Sequence, residues 1–278
     1  MTVLEVLTAA TGFLKKKGVE SPRLNAEHLL AHVLGMEKRI TLYLEFERPM
    51  SEAERAPLRE LIRRRSEGVP LQHLLGTVEF CGHVFACDAR ALIARPETEQ
   101  LVENILQRLA DTARVLDVGT GSGVIALSLA LARPSASVTA VDVSPDALAL
   151  AQENATRHAL AERVDFIVSD LLAAVSGPFD LIAANLPYIA AGELDSLSRE
   201  VAHDPSLALD GGPDGLVIIT RLIADAPRCL APGGTLALEI GHDQADRVES
   251  LVASHNYRDI VRIRDYQQVE RFLLARHG

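Results

Sequence analysis

Residues 114–130 read RVLDVGTGSGVIALSLA, the pattern of a buried strand, a glycine-rich loop and an apolar helix in direct succession. Gly119, Gly121 and Gly123 allow the backbone to turn tightly and to approach a ligand, and the helix that follows presents its N-terminus. The spacing is GxGxG and differs from the GxGxxG of a dinucleotide pyrophosphate site. The segment therefore predicts a strand–loop–helix unit that binds a small ligand of another kind.

Strands and helices alternate along the rest of the chain after Arg114. The strand candidates are Val115–Val118, Ser137–Val141, Val164–Val168, Phe179–Ala184, Thr235–Ile240, Asp259–Arg264 and Glu270–Leu274. The helix candidates are Val124–Ala132, Pro145–His158 and Asp214–Leu230. Such alternation predicts an α/β fold with a doubly wound, mainly parallel sheet of seven strands.

The first part of the chain has a different pattern. Residues 1–75 predict a small helical domain, with helix ends at Gly18 and Gly35 and a capping box that begins at Ser51. Residues 76–94 are β-prone and predict a β-hairpin linker. Residues 95–278 then form the sheet domain, which opens with a helix predicted over Gln100–Ala110.

Composition indicates which classes of partner the protein can bind and in which cellular compartment it works. The net charge of −10 is carried by the residues after 75, because basic and acidic residues nearly balance before that point. An acidic body is a poor match for nucleic-acid phosphates, so we expect no direct nucleic-acid binding. No apolar run reaches the roughly 18 residues of a membrane span. Three widely spaced cysteines do not suggest a disulfide framework, and we expect a cytoplasmic location.

Acidic side chains end three successive strands of the predicted sheet. Asp117, just before the glycine loop, suits a cationic ligand end such as the amino group of a methionine moiety. Asp142 lies about 20 residues further on, where it can accept hydrogen bonds from a ribose diol. Asp170 follows Ser169 at the third strand end and can meet an adenine amino group. Together with the glycine loop, this ordered series resembles the class I S-adenosylmethionine-dependent methyltransferases.

The fourth strand ends in Asn185-Leu186-Pro187-Tyr188. The segment resembles the (N/D)PPY motif of enzymes that methylate planar nitrogens, with Leu186 in place of the first proline. An amide nitrogen is a poor nucleophile because its lone pair is delocalised. The Asn185 side-chain oxygen and a main-chain carbonyl at Leu186 or Pro187 could bind its two N–H groups and orient it. Proline fixes the carbonyl direction, and Tyr188 offers a flat face to the planar group.

Further segments extend the resemblance over nearly the whole chain. They are RRRSEGVPLQHLLGTVEFCGHVF, LIARPETE, LALDGGPDGL and APGGTLALEIG. With the motifs above, they resemble the release-factor glutamine methyltransferase family (HemK/PrmC). That resemblance implies a Rossmann-like methyltransferase sheet, S-adenosylmethionine as cofactor with S-adenosylhomocysteine as product, and class 1 peptide-chain release factors as partners. It implies methylation of the glutamine in their Gly-Gly-Gln motif, with the helical domain recognising the release factor.

The resemblance also implies the site residues. The predicted catalytic residues are Asn185, Pro187 and Tyr188, and the predicted substrate-binding residues are Asn185, Leu186, Pro187 and Tyr188. The predicted cofactor-binding residues are Asp117, Gly119, Thr120, Gly121, Ser122, Gly123, Asp142, Asp170, Leu171 and Asn185. An aromatic residue is common in the family where this chain has Leu171.

Other interpretations stay open at this point. The sequence is also compatible with a ribosomal-protein glutamine methyltransferase, an adenine-N(6) nucleic-acid methyltransferase, or a donor-binding module without catalysis. We expect no metal site: His28 and His32 are four residues apart but lack the HExxH order, and Cys81, His83 and Cys87 lack a fourth ligand at zinc spacing.

Overall fold

The structure is a computed structural model that describes residues 1–278. The chain divides into two compact units, which we call the helical unit and the sheet unit. The helical unit comprises Met1–Thr77 together with Ser198–His203, and the sheet unit comprises Val78–Leu197 and Asp204–Gly278. No helix is long and apolar enough to cross a membrane.

The helical unit packs its helices around an apolar core. Its helices are α1 (Val3–Lys16), α2 (Pro22–Val33), α3 (Glu52–Ser66) and α4 (Leu71–Leu75), with a 3-10 helix at Arg39–Leu44 between α2 and α3. The predicted capping box is confirmed, because the Ser51 side chain accepts from the Glu54 N–H and the Glu54 side chain accepts from the Ser51 N–H. Leu7, Leu29 and Leu30 are fully buried in the core.

A two-stranded hairpin opens the other part of the fold. It consists of β1 (Thr77–Phe80) and β2 (His83–Ala86), joined by Cys81 and Gly82. Both turn residues have positive φ, at 49° and 74°, which matches the turn that two-residue hairpin connections favour. The helix that follows, α5 (Pro96–Leu106), begins four residues before its predicted start because Pro96 occupies the first helical position.

The sheet unit contains a seven-stranded sheet, as predicted. Its strands are β3 (Arg114–Val118), β4 (Ser137–Asp142), β5 (Val164–Val168), β6 (Phe179–Asn185), β7 (Leu230–Glu239), β8 (Tyr257–Arg264) and β9 (Glu270–His277). Their spatial order is β5-β4-β3-β6-β7-β9-β8. The first five are parallel, and β9 runs antiparallel to both β7 and β8.

Helices cover both faces of this sheet, so the doubly wound prediction is confirmed. They are α5, α6 (Val124–Ala132), α7 (Pro145–Arg157), α8 (Val217–Asp225) and α9 (Ala245–Ala253). Along β3, Val115 packs with apolar residues of α5 and α6, whereas Leu116 packs with those of α8 and α9. Because β3 has β4 on one side and β6 on the other, the direction of strand succession reverses beside β3. Parallel sheets bind ligands at such a point, beyond the carboxyl ends of the strands.

Two further predicted elements differ clearly from the observed ones, and one observed helix was not predicted. The helix predicted over Asp214–Leu230 is shorter, since α8 ends at Asp225 and a 3-10 helix continues to Arg228. Strand β7 begins at Leu230 and contains Pro232-Gly233-Gly234, a sequence typical of a turn, which the strand accommodates by an irregular register against β6. Helix α9 was not predicted. Its N-terminus has no capping side chain, and only Ala245, Val248 and Val252 are buried.

Candidate functional site

The glycine loop joins β3 to α6 at the carboxyl end of the sheet. Gly119, Gly121 and Gly123 have φ values of 71°, 56° and 84°, which glycine adopts without strain. A Cβ at Gly119 would lie 2.8 Å from Leu186 Cδ2, and one at Gly123 would lie 3.0 Å from Ala151 Cβ. Gly119 therefore needs its small size because β6 is so close, whereas Gly123 needs it for the packing of α6 against α7.

A cavity of about 340 Å³ lies beside this loop, a volume in the range of small-molecule sites. The predicted site residues that line it are Gly119, Thr120, Gly121, Ser122, Asp142, Asp170, Leu171, Asn185, Leu186 and Pro187. The predicted residues that do not line it are Asp117, Gly123 and Tyr188. The topology thus brings together residues from four strand ends that are up to about seventy positions apart in the chain.

Asp142 ends β4 and faces the glycine loop. Its Oδ2 accepts a hydrogen bond from the Gly121 N–H at 2.8 Å, and its Oδ1 accepts one from the Ser144 N–H at 2.9 Å. These contacts hold the carboxylate at the cavity wall and leave further lone pairs on both oxygens, because each carboxylate oxygen can accept more than one hydrogen bond. A hydroxyl-bearing ligand in the cavity could therefore donate to Asp142.

Asp117 lies beneath the loop and is fully buried. It alternates with Leu116 along β3 and so points to the same face as Val115, under α6. Its Oδ2 accepts hydrogen bonds from Thr120 Oγ1 at 2.7 Å and from the Ala126 N–H at 3.1 Å. Burial raises the pKa of Asp117 to about 6. In this position Asp117 supports the loop from behind and does not line the cavity.

The residues after β5 form a wall of the cavity that is partly charged and partly apolar. Asp170 is exposed and pairs with Arg221 of α8 at 2.8 Å. Leu171 is 7% exposed and has a positive φ of 49°. The Ser169 hydroxyl stabilises this turn, because it donates to the Leu171 carbonyl at 2.8 Å and accepts from the Ala174 N–H at 3.0 Å. Leu171 thereby presents an apolar surface to the cavity.

Asn185 is the last residue of β6, and Leu186–Tyr188 follow the strand directly. The Asn185 Nδ2 group donates to Thr98 Oγ1 at 3.2 Å. Leu186 is 4% exposed and packs in the sheet core, next to Gly119. Pro187 lines the cavity, whereas the half-buried Tyr188 ring packs against the core on the α8 and α9 face. Burial raises the pKa of Tyr188 to about 12, so its hydroxyl stays protonated at neutral pH.

Gln244 holds the far end of this segment. Its Nε2 group donates to the Tyr188 carbonyl at 2.9 Å, and its Oε1 accepts from the Gly241 N–H at 2.9 Å. Gln244 is 6% exposed. The Tyr188 carbonyl is consequently occupied within the protein, while Leu186 and Pro187 border the cavity.

The sequence did not predict Thr98, which lines the cavity, or Glu239, which lies behind it. Thr98 is in the first turn of α5, and its Oγ1 donates to Glu239 Oε2 at 2.7 Å. Glu239 ends β7 and is the register partner of Asn185. Burial raises the pKa of Glu239 to about 7, and hydrogen bonds from Thr98 and Asn185 and the charge of Arg271 act in the opposite direction. A polar residue at the end of the apolar run TLAL was the one available signal for Glu239.

Two family models match the chain. The model for the PrmC N-terminal domain matches residues 5–76, and the model for the methyltransferase small domain matches residues 96–212. Two methyltransferases are among the solved structures that share the fold. A methyltransferase from Pyrococcus furiosus aligns with a TM-score of 0.52 and 19% identity, over 70% of this chain and 88% of that one. A 16S rRNA methyltransferase from T. Thermophilus, in complex with AdoMet and guanosine, aligns with a TM-score of 0.52 and 19% identity, over 73% of this chain and 50% of that one.

Full-length relatives share much higher identity. A release factor glutamine methyltransferase from Chlorobaculum tepidum is 42% identical over 285 residues, which cover 98% of this chain and 96% of that protein. One from Deinococcus radiodurans is 44% identical over 280 residues, which cover 100% of this chain and 99% of that protein. Identity at this level over the whole length, on a methyltransferase sheet with Asn185-Leu186-Pro187-Tyr188 after β6, establishes the relationship. The chain belongs to the release factor glutamine methyltransferase family.

Proposed function

We propose that the protein transfers a methyl group from S-adenosylmethionine to the side-chain amide nitrogen of the glutamine in the Gly-Gly-Gln motif of class 1 peptide-chain release factors. The observation that carries this proposal is the position of Asn185. It is the last residue of a parallel strand, at the edge of a cavity whose other wall is a glycine loop. The names of the full-length relatives support the choice of release factors as substrate.

The cavity fits the methyl donor. Its glycine loop has no side chain at Gly119 or Gly121, so a ligand can approach the backbone there. Asp142 would accept hydrogen bonds from the ribose hydroxyls, and Leu171 would contact the adenine ring. Thr120, Ser122 and Asp170 would complete the polar lining. Asp117 and Gly123 would act indirectly, by supporting the loop and the start of α6.

The residues after β6 would hold the acceptor. Asn185 Oδ1 and the carbonyl of Leu186 or Pro187 would each accept one N–H of the glutamine amide, which directs the nitrogen at the donor and stabilises the positive charge that develops on it. When bound, S-adenosylmethionine supplies a methyl group on a positively charged sulfur. Transfer to the amide nitrogen would leave that nitrogen positively charged until one N–H proton is lost, and Asn185 Oδ1 and the backbone carbonyl would stabilise this charge. Tyr188 would support the segment from the core side.

We further propose that the three segments predicted from the sequence have separate roles. Residues 1–75 would recognise the release factor, residues 76–94 would link the domains, and residues 95–278 would bind the donor and carry out transfer. Release factors act on ribosomes, and the protein would accordingly work in the cytoplasm.

The test uses methyl-labelled donor and two purified release factors. One is wild type, and the other has the glutamine of the Gly-Gly-Gln motif replaced. We expect label in the wild-type factor alone. Equal labelling of both factors would contradict the glutamine assignment. Labelling of ribosomal protein, DNA or RNA in parallel reactions, with none on the release factor, would contradict the substrate assignment.

A further inference from the structure

Three side chains from three elements form one hydrogen-bonded chain beside the cavity. Asn185 and Glu239 are register partners at the ends of the parallel strands β6 and β7. Thr98 of α5 bridges them, since its Oγ1 accepts from Asn185 Nδ2 at 3.2 Å and donates to Glu239 Oε2 at 2.7 Å. Thr98 is 3% exposed and Glu239 is 2% exposed, so water does not compete for these groups. The hydrogen-bonded chain ends at Asn185, which borders the cavity.

The chemistry of the three groups determines which of them donates and which accepts along this hydrogen-bonded chain. A hydroxyl has one proton, and an ionised carboxylate only accepts hydrogen bonds. When Glu239 is ionised, the Thr98 proton is therefore committed to Glu239, and a lone pair of the same oxygen faces Asn185. An Asn185 amide rotated by half a turn would place Oδ1 against that lone pair with no proton between them. The amide nitrogen is thus held at Thr98, and Oδ1 is the group left to accept from a ligand.

We propose that Thr98 and Glu239 are positioning residues that fix the orientation of the Asn185 side-chain amide and so present its oxygen to the glutamine substrate. The inference rests on the proposed function, because it assigns a role in holding that substrate. It explains why a carboxyl group is buried at the end of β7. It also assigns a role to the Thr98 position within the RPETE segment, which the proposed mechanism otherwise does not use.

The direction of this hydrogen-bonded chain requires the carboxylate form of Glu239, which prevails above a pKa of about 7. Burial opposes ionisation and raises the pKa of Glu239 to about 7, and the nearby carboxylate of Glu97 acts in the same direction. Hydrogen bonds from Thr98 and Asn185 and the positive charge of Arg271 on β9 favour the carboxylate. Tyr188 also faces this group and stays neutral, because its own pKa is raised to about 12.

The kinetic test compares three variants with the wild type. Thr98→Val removes the hydroxyl but keeps the shape, and Thr98→Ser keeps the hydroxyl. Thr139→Val is the matched control, because Thr139 is a half-buried threonine of β4 that does not line the cavity. We expect Thr98→Val to lower kcat on a release factor by about 10- to 100-fold, with little change in KM. Thr98→Ser and Thr139→Val should stay within about threefold of wild type.

The second readout needs no methyl transfer. The carboxyl carbon of Glu239 is titrated by NMR in the donor-free protein. Thr98→Val should raise the titration midpoint, because it removes the hydrogen bond that Thr98 donates to the carboxylate, and Thr98→Ser should restore it. Asn185→Ala should raise the midpoint by less, because Asn185 donates to the Thr98 oxygen and acts on the carboxylate through it. An unchanged midpoint in Thr98→Val would contradict the link between the groups.

The two readouts separate failure of this inference from failure of the proposed function. If wild-type protein methylates the release factor and Thr98→Val retains kcat within threefold, or loses no more than Thr139→Val, the positioning role is overturned while the function stands. If wild-type protein methylates no release factor, the function fails. The NMR midpoints then still decide whether Thr98 links Asn185 to Glu239.

Discussion

Asn185 is the residue on which the proposed chemistry depends most directly. Its nitrogen is engaged by Thr98, and its side chain borders the cavity. An amide oxygen in this position accepts a hydrogen bond without carrying a charge, so it can orient a neutral amide substrate without strong attraction for cations. Neighbouring residues determine what Asn185 can do, since Leu186 packs against Gly119 while Gln244 holds the Tyr188 carbonyl.

Removal of the Asn185 amide should lower the turnover rate and leave donor affinity nearly unchanged. We expect Asn185→Ala to lower kcat by at least about 100-fold, because the glutamine loses the acceptor that orients its nitrogen. Donor affinity, measured by calorimetry, should change by less than about tenfold. Asn104→Ala on α5 is the control, since the Asn104 side chain bonds only to the Gln100 carbonyl of its own helix. Retained turnover in Asn185→Ala would show that the amide is not held as proposed.

Glu239 should give the protein a measurable pH dependence of stability. Its pKa is raised from 4.5 to about 7 by burial, so the folded state holds a proton that the unfolded state releases earlier. This favours folding below pH 4.5, and the advantage is lost as pH rises to 7. Over that window the wild type should lose up to about 3 kcal/mol of unfolding free energy relative to Glu239→Gln, whose side chain does not ionise.

Urea unfolding of both proteins at pH 4.5, 6 and 8 checks this expectation. The comparison isolates Glu239, because other buried groups such as Asp117 titrate equally in both proteins. A difference in unfolding free energy that is constant over this range would mean that the carboxyl group is ionised in the folded protein throughout.

The elements that were predicted well are those whose signals are local. Strand β5 and helix α6 have the predicted bounds, since an apolar run between turn residues and a helix directly after a glycine loop need no distant partner. Helix α9 was missed because Gln244, at its N-cap, bonds to Gly241 and Tyr188 and caps nothing. Strand β7 extends back to Leu230 because Leu230 pairs with Phe179 of β6, although regular pairing with β6 and β9 resumes only at Thr235.

The site shows the same division between local and distant signals. The glycine loop, Asp142 and Asn185 could be found from the sequence because each ends or follows a recognisable strand. Thr98 and Glu239 could not, since they are 141 positions apart and meet only because α5 packs on the sheet beside β7. The burial of Asp117 was also missed. Its position depends on which face of β3 carries α6, and a lone strand does not reveal this.

The turn between β3 and α6 should be sensitive to a single methyl group. Gly119→Ala places a side chain at a φ of 71° and within 2.8 Å of Leu186 Cδ2, so we expect a loss of about 1–2 kcal/mol of unfolding free energy and weaker donor binding. Gly12→Ala in α1 is the matched control. Nothing lies within 4 Å of its added Cβ, and stability should rise slightly because alanine favours helices. Equal effects of the two substitutions on donor affinity would contradict a ligand-binding role for the loop.

At the scale of the whole molecule, the chain enters the helical unit twice. Ser198–His203 belongs to that unit although the residues before and after it belong to the sheet unit. Arg65 of α3 anchors the segment: the 4% exposed side chain donates to Asn25 Oδ1 at 2.6 Å and pairs with Glu200.

Loss of this anchor should loosen residues 198–203. We expect Arg65→Leu to lower the unfolding free energy by about 2 kcal/mol, because the buried hydrogen bonds of the guanidinium are lost, and to raise hydrogen exchange in the segment by at least about tenfold. Arg64→Leu, at an exposed position of the same helix, should leave both quantities nearly unchanged. Equal exchange rates in the two variants would show that Arg65 does not restrain the segment.

The central claim is that Asn185 directs a glutamine amide at a methyl donor. Mass spectrometry of the release-factor peptide that contains Gly-Gly-Gln, after incubation with donor and enzyme, tests it most directly. We expect wild-type enzyme to add the mass of one methyl group, with fragment ions that assign it to the glutamine, and Asn185→Ala to leave the peptide unmodified. A methyl group on any other residue, or equal modification by Asn185→Ala, would contradict the claim.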